Sequence, residues 1–389
     1  MKTVAVIFGG RSTEHDVSIV TALASIIKPL ELTKQYKVEA VYVSKSGAWY
    51  WDDKLKDISL YSSGQIQDFL HKTSPVSVQL DGGMTLVKSS GIAGRKTLRK
   101  IDVVFPAMHG TYGEDGSLMG MLRMANVPFV GCDMDASVLA MDKILAKKVA
   151  ESVGIPVTTY EVVDRAVFNR MPQSVVHEID KALEYPLFVK PAHLGSSIGI
   201  SRVTNKQELS NAIEVACHYD NRVLVEEEVS NLIEVTLPIM GNDPFNLKPA
   251  LLEKPLTKPE DFFDFETKYM QGGKGGKKGG TKGAQGYSEL PAKLDEDLYK
   301  KAETTGLQVY NALDCTGVAR VDMLINSKTN TVYFNEVNPL PGGLYEHNWR
   351  AAGVSSVELV QTLIRLAEER WQNQQQQNTV FSTNYLQQF

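Results

Sequence analysis

Short apolar, β-branched runs closed by Gly or Pro alternate along this chain with longer stretches of helical spacing, which predicts alternating strands and helices. Thr3–Phe8 reads as a buried strand ending in Gly9-Gly10. Ser12-Thr13-Glu14-His15-Asp16 then leads into a periodic apolar stretch, Val17 to Ile27, giving the strand, glycine turn and capped helix that open an α/β unit. Tyr36–Val43 and Ile101–Pro106 read as further strands, and residues 45–100 between them as a patchwork holding a hairpin and a helix. Leu118–Met124 is predicted helical, Phe129-Val130 a short strand, and Ser137–Val153 one long amphipathic helix ended by Gly154-Ile155-Pro156.

A second α/β region follows. Leu187–Pro191 is a strand, His193–Gly199 a Gly/Ser loop, Ile200–Val203 a returning strand, Lys206–Cys217 a helix and Val223–Glu227 a strand. A third region opens at Glu234–Met240. The divisions fall at 1–135, 136–228 and 229–371, with a Gln-rich tail, 372–389, expected to fray. Gly272–Gly286 is nearly all Gly and Lys and cannot form a core.

The third region carries the most chemistry. Gly317–Asp322 and Phe334–Asn338 read as strands, with the polar run Asn326–Asn330 as their turn. Alternation puts Arg320 and Asp322 on one face, and Glu336 and Asn338 together on another. An antiparallel hairpin sets Asp322 roughly opposite Glu336. Two carboxylates and an amide offer only oxygen donors, which suits Mg²⁺ and argues against zinc or copper. Carboxylates this close call for a cation, and a cation beside Arg320 calls for a phosphate.

Bulk properties narrow the classes. A chain of 389 residues exceeds one ordinary core. A net charge of −5 gives no basic footprint for nucleic acid. Cys132, Cys217 and Cys315 lack metal-ligand spacing and read as free thiols in a reducing compartment. Neither a signal-peptide pattern nor a membrane-length apolar run is present, so a cytoplasmic chain without membrane contact is expected.

Taken singly, the other motifs stay open. Lys190-Pro191 with Gly195-Ser196-Ser197-Ile198-Gly199 reads as a phosphate-handling loop or as a plain Gly/Ser turn, and it is not a Walker A sequence. Gly9-Gly10 is half of a dinucleotide fingerprint. Glu14 suits a substrate amine or a helix cap equally. Ala107-Met108-His109-Gly110 and Gly113–Gly116 form a polar loop after a strand, where α/β folds bind ligands. Glu226-Glu227-Glu228 places three carboxylates at the end of a buried-type strand.

In their order and spacing, these segments resemble the D-alanine–D-alanine ligase family of the ATP-grasp superfamily. The likeness rests on Phe8–Ser18, His109-Gly110, Gly113–Gly116, Met141-Asp142-Lys143, Lys190-Pro191 with Gly195–Gly199, Phe265–Tyr269, Arg320–Asp322 and Asn335–Asn338, and spans nearly the whole chain. It implies an α/β (α+β) ATP-grasp fold, with a Rossmann-like first domain and two α+β domains clasping ATP. By that resemblance Lys143 and Lys190 bind phosphates, under a loop holding Ser196 and Ser197. The Glu226, Glu227 and Glu228 stretch holds adenine, and Glu234 the ribose. Asp322, Glu336 and Asn338 take two Mg²⁺ ions, with Mn²⁺ as a substitute. Glu14, networked with Ser196 and Tyr269, binds the ammonium of the first D-alanine, and His109 serves the same substrate. Lys268 and Tyr269 sit in a lid at about 260–290, and Arg320 with the Gly342 amide stabilises an oxyanion. The implied partners are D-alanine and ATP, in a homodimer.

Two departures stand out. The family follows its metal asparagine with a Thr/Ser-rich grip on the second substrate, whereas Pro339–Trp349 holds no Ser or Thr. Tyr345, His347, Asn348 and Arg350 are the polar side chains available instead, so the acceptor is D-alanine or another small acceptor such as D-serine or D-lactate. The Gly/Lys insert is the second departure, read as a cationic lid extension. A nucleotide-binding regulator is the reading from another class.

Overall fold

The computed structural model describes residues 1–90, 95–256, 288–377, 379 and 382–389. In the first region β1 (Lys2–Gly9) lies at the centre of a sheet, parallel to β2 (Tyr36–Val43) and to β7 (Val103–Pro106), with β3 (Trp49–Trp51) antiparallel at the β2 edge. The apolar run of β1 is buried on both faces, as a parallel strand requires. Val4, Val6 and Phe8 face one core, and Ala5 and Ile7 face another with Leu118, Met119 and Leu122. Residues 45–100 add a meander of β4 (Ser77–Leu80), β5 (Met84–Ser90) and β6 (Arg95–Ile101), after short helices Ile58–Ser62 and Ile66–His71.

The second region is an antiparallel sheet in the order β10-β9-β11-β8, made of β8 (Tyr160–Asp164), β9 (Leu187–Pro191), β10 (Ser201–Val203) and β11 (Arg222–Glu227). The helices Pro172–Ala182 and Lys206–Tyr219 cover one face. The third is built on β12 (Leu232–Gly241), β13 (Lys248–Pro249), β16 (Gly317–Asn326) and β17 (Thr331–Asn338) in the order β13-β12-β16-β17. A small ribbon of β14 (Lys254–Pro255) and β15 (Ser288–Glu289) flanks it. These sheets and their order match the expected α/β (α+β) class.

Several expectations need correction. Ser137–Val153 is two helices, Met134–Met141 and Lys143–Ser152, broken at Asp142. Asp142 is extended (φ −93°, ψ 98°) and its carboxylate caps Ile144 and Leu145, at 2.9 and 3.0 Å, while also meeting Arg222 at 3.1 Å. Apolar periodicity is blind to a cap whose other partner lies far along the chain. Ile101–Pro106 is interrupted at Asp102, whose carboxylate accepts the Thr3 N–H at 2.8 Å and ends β6. Phe129 makes a single bridge to Val104 rather than a strand. The helix after Glu14 continues to Thr33 through a π-helical section, Thr21–Ile27; such sections cluster at functional sites.

The last helix, Ser356–Gln375, crosses the expected division between regions. Leu359, Val360, Leu363 and Ile364 pack into the first region's core beside Val4, Val6 and Phe8. It also runs past the expected start of fraying at Gln372, because Gln374 donates to Asp133 and Gln375 to Asn126, both at 2.7 Å. Arg370, nearly buried, donates to the carbonyls of Phe129 and Gly131 and to Thr316 Oγ1, joining the first and third regions. Among the described residues, no helix is long and apolar enough to cross a membrane.

Candidate active site

The β16–β17 hairpin supplies one wall. Asp322 is paired in register with Glu336 and Arg320 with Asn338, as strand alternation predicts. The register slips by one residue after Asp322, so that Met323 pairs with Phe334 and Asn335 is bulged out; bulges re-aim side chains in this way. The Asn335 side chain accepts from Lys190 Nζ at 3.3 Å. Arg320 forks onto Asp322, with Nε and Nη2 donating at 2.7 and 2.5 Å, and Asn338 donates to Asp322 at 3.2 Å. Lys143 Nζ lies 3.3 Å from Glu336 and donates to the Leu194 carbonyl at 2.6 Å. Burial opposes the Glu336 charge, but Lys143, Lys190 and Arg320 outweigh it and hold the carboxyl down to about 2.

This donor set fits Mg²⁺: two carboxylates face each other with an amide beside them, and the donors they offer are oxygens. Among the described residues no group of three or more His, Cys, Asp or Glu side chains converges as a metal site. The hairpin therefore offers two carboxylates plus the Asn338 amide.

Lys190 on β9 and Lys147, one turn after Lys143, meet at Glu226 on β11. Glu226 Oε2 lies 2.8 Å from Lys147 Nζ and accepts from Thr158 Oγ1 at 2.5 Å, while Oε1 pairs with Lys190. The carboxylate is 2% exposed, and the two lysines hold it ionised far below the ordinary carboxyl range. Burial lowers the Lys147 ammonium, whereas Glu226 keeps Lys190 raised against the same burial. Glu226 is thus engaged as a buried counter-ion. Its neighbours diverge: Glu227 accepts the Glu184 N–H at 2.9 Å, and Glu228 pairs with Arg202 at 2.7 Å. Glu234 on β12 lies opposite Leu324 and adds its charge to the field at Lys190.

Glu14 sits at the helix start but makes no capping hydrogen bond. Its carboxylate accepts from Ser196 Oγ across the cleft. Ser196 and Ser197 are both left-handed, at φ 55° and 59°, which turns the loop back over this contact. Burial and the nearby Glu114 carboxylate raise the Glu14 carboxyl, and an ammonium ligand there would favour its charged form. His109 is fully buried, with Nε2 2.9 Å from Thr21 Oγ1 and Nδ1 3.7 Å from Glu114. Burial opposes its charge, and Glu114, then Glu14, favour it.

Near Gly342, the Gly343 N–H donates to Thr21 Oγ1 at 2.9 Å. Tyr345 lies over Arg320. His347 Nε2 is 2.8 Å from Glu253, and Asn348 donates to Glu253 at 3.1 Å and to the Leu251 carbonyl at 2.9 Å. Arg350, by contrast, is exposed and pairs with Glu346 at 3.8 Å. Lys268, Tyr269 and the Gly/Lys insert lie outside the described residues. Sequence reading missed Lys147, Thr21 and Glu253, and placed Glu114 in a ligand-binding loop without giving it a role of its own. Only Lys147 carried a signal, its i,i+4 spacing from Lys143.

The loop over this cleft is tied down by His193, whose Nδ1 meets Asp220 at 2.9 Å and whose Nε2 meets Asp142 at 3.3 Å. Asp142, then Asp220, lift its pKa to about 9. A raised pKa means the anchor is complete below about 6.5 and lost as pH rises through about 9. Thermal unfolding between pH 7 and 10 should therefore show an alkaline decline in Tm that His193→Ala flattens.

Known proteins share this architecture. Residues 3–132 match the family described as "D-ala D-ala ligase N-terminus", and residues 149–365 match "D-ala D-ala ligase C-terminus". The D-alanine–D-alanine ligase of Chloroherpeton thalassium is 36% identical over 378 residues, covering 95% of this chain and 97% of that protein. The enzyme of the same name from Acetivibrio thermocellus is 35% identical over 384 residues, covering 95% and 96%. Among solved structures, the D-alanine–D-alanine ligase from Coxiella burnetii superposes with a TM-score of 0.76 at 27% identity, covering 97% of this chain and 98% of that one. The VanG D-Ala:D-Ser ligase from Enterococcus faecalis also gives 0.76, at 31% identity, covering 94% and 99%. With both family halves matched in order, and relatives aligned end to end, the chain belongs to the D-alanine–D-alanine ligase family.

Proposed function

We propose that this chain joins two D-alanine molecules with ATP as the energy source, through a D-alanyl phosphate, to supply D-alanyl-D-alanine for peptidoglycan. The single observation that carries this reading is the convergence of Glu14–Ser196, the Lys143/Lys190 cations and the Arg320–Asp322–Glu336–Asn338 hairpin on one cleft. Lys143 and Lys190 neutralise ATP phosphates, which lets the first carboxylate approach an anion. The loop holding Ser196 and Ser197 covers them, and Glu234 takes the ribose. The stretch of Glu226, Glu227 and Glu228, at the end of β11 and one residue beyond it, borders the adenine.

Asp322, Glu336 and Asn338 would hold two Mg²⁺ ions, or Mn²⁺ in their place; when bound, these offset charge on the transferring phosphoryl group. Glu14 binds the ammonium of the first D-alanine, backed by His109, with Ser196 fixing the carboxylate. Arg320 and the Gly342 N–H face the oxyanion formed when the second amine attacks the acyl carbon. Lys268 and Tyr269 belong to the lid that excludes water, since a wet acyl phosphate hydrolyses. The enzyme acts as a cytoplasmic homodimer.

A second reading is favoured by one feature: Pro339–Trp349 lacks Ser and Thr, and His347 and Asn348 are committed to Glu253. The acceptor then differs, as D-serine or D-lactate would. Incubation with ATP, Mg²⁺ and D-alanine, followed by mass measurement, should give ADP and the D-alanyl-D-alanine mass. Product appearing only when another acceptor is added would move the assignment to the second reading.

A further inference from the structure

Directly after Gly342 the backbone makes three consecutive left-handed residues: Gly343 (φ 60°, ψ 17°), Leu344 (53°, 14°) and Tyr345 (53°, 35°). L side chains visit this region singly, so two in succession after a glycine are strained. The surroundings impose the strain. Leu344 is wholly buried in the core of the first region, its N–H closes onto the Pro341 carbonyl at 2.8 Å, and the Gly343 N–H is taken by Thr21.

The outcome is a fixed place for the Tyr345 ring. The Arg320 guanidinium carbon lies 4.9 Å from its centroid. The His347 ring lies close beside it, with centroids 4.9 Å apart, and is held by Glu253. The phenol lies 3.4 Å from Thr236 Oγ1, on the β12 residue paired with Asp322. Burial first of all pushes the phenol up to about 12, so the ring is neutral and attracts Arg320 through its face.

Arg320 needs a hold of this kind. Its fork uses both oxygens of Asp322, which is also a candidate metal ligand. Any divalent cation drawing on that carboxylate weakens the fork. A ring face holds a guanidinium without using an oxygen lone pair.

We propose that Tyr345 is a positioning residue for Arg320: the left-handed turn lays its ring on the guanidinium and keeps that cation aimed beside the Gly342 amide when Asp322 is engaged elsewhere. The proposal rests on the ligase reading above and assigns a role to the segment that departs most from the family.

Three variants of the full chain test it. Tyr345→Asn keeps a residue that tolerates the left-handed turn but removes the ring. Tyr345→Leu removes the ring from a residue that does not, and Tyr345→Phe keeps the ring alone. Tyr345→Asn should lower kcat about tenfold, with little change in KM for ATP or D-alanine and more ADP released per dipeptide. Tyr345→Phe should stay within about twofold of the wild type. Equal losses in the Phe and Asn variants, or an Asn variant with unchanged kcat, would overturn the proposal.

An activity-independent readout separates this from failure of the ligase reading. The ring should shift the Arg320 Nε–H resonance, a shift retained in Tyr345→Phe and lost in Tyr345→Asn. A wild type that makes no dipeptide but shows that shift retires the ligase reading alone. Loss of the shift in Tyr345→Phe removes the positioning role. Tyr345→Leu should match Tyr345→Asn in kcat, and a Leu variant as active as the wild type overturns the role equally.

Discussion

Glu226→Gln is expected to destabilise the nucleotide-free protein by about 3–5 kcal/mol, the usual cost of removing one partner from a buried ion cluster. The carboxylate is 2% exposed and is shared by Lys147 and Lys190, with Thr158 on one oxygen. Gln keeps the shape and the Thr158 contact but leaves two ammonium groups facing each other with no counter-charge. Equilibrium denaturation at neutral pH measures the loss. Adding Lys147→Met to Glu226→Gln should return much of it, because one of the stranded charges is gone; strict additivity of the two substitutions would refute the coupling. Nucleotide should also restore stability more in the variant than in the wild type, since phosphates bring the missing negative charge. The pH dependence has a definite sign. A carboxyl held far below its ordinary 4.5 contributes stability that is complete above 4.5 and is lost only in strong acid, so the gap between wild type and variant should stay constant from pH 8 to about 5.

Much of the site was legible because strand alternation and oxygen chemistry are local properties. Arg320, Asp322, Glu336 and Asn338 could be assigned to facing positions from two short segments, and the register agrees. The bulge at Asn335 was not legible, since it depends on how β17 meets its partner. Glu253 lies in a segment with no motif and gains meaning only when His347 and Asn348 fold against it from far along the chain. Asp142 and Glu226 show the same limit. Each looks like an ordinary acidic residue in sequence, yet one breaks a helix and the other neutralises two buried lysines, through partners that only the tertiary fold supplies. The final helix is the fold-level counterpart. An apolar stripe in sequence does not say which sheet it covers, and Ser356–Gln375 packs on the first region's core.

Arg320→Met should lower kcat by about 10²–10³, the range for losing one donor to a developing oxyanion. It should do so mainly in kcat, because the charge it stabilises is absent from the ground state. A second effect must be separated from the first. Asp322 is 4% exposed, and Arg320 is its fork partner, so the variant leaves a buried carboxylate short of a counter-ion. Stability without metal should therefore fall, and Mg²⁺ should raise Tm more in the variant than in the wild type, because the cation replaces the lost charge. Catalysis should not recover in parallel: an ion drawn to Asp322 does not supply a donor beside the Gly342 amide. Arg320→Lys sharpens the distinction. It keeps the charge near Asp322 and should regain part of the stability, but a lysine cannot fork onto a carboxylate, so the rate should stay low. If Arg320→Lys restored kcat along with Tm, charge alone would be what the site needs, and the guanidinium geometry built by Asp322 below and Tyr345 above would have no part in the reaction.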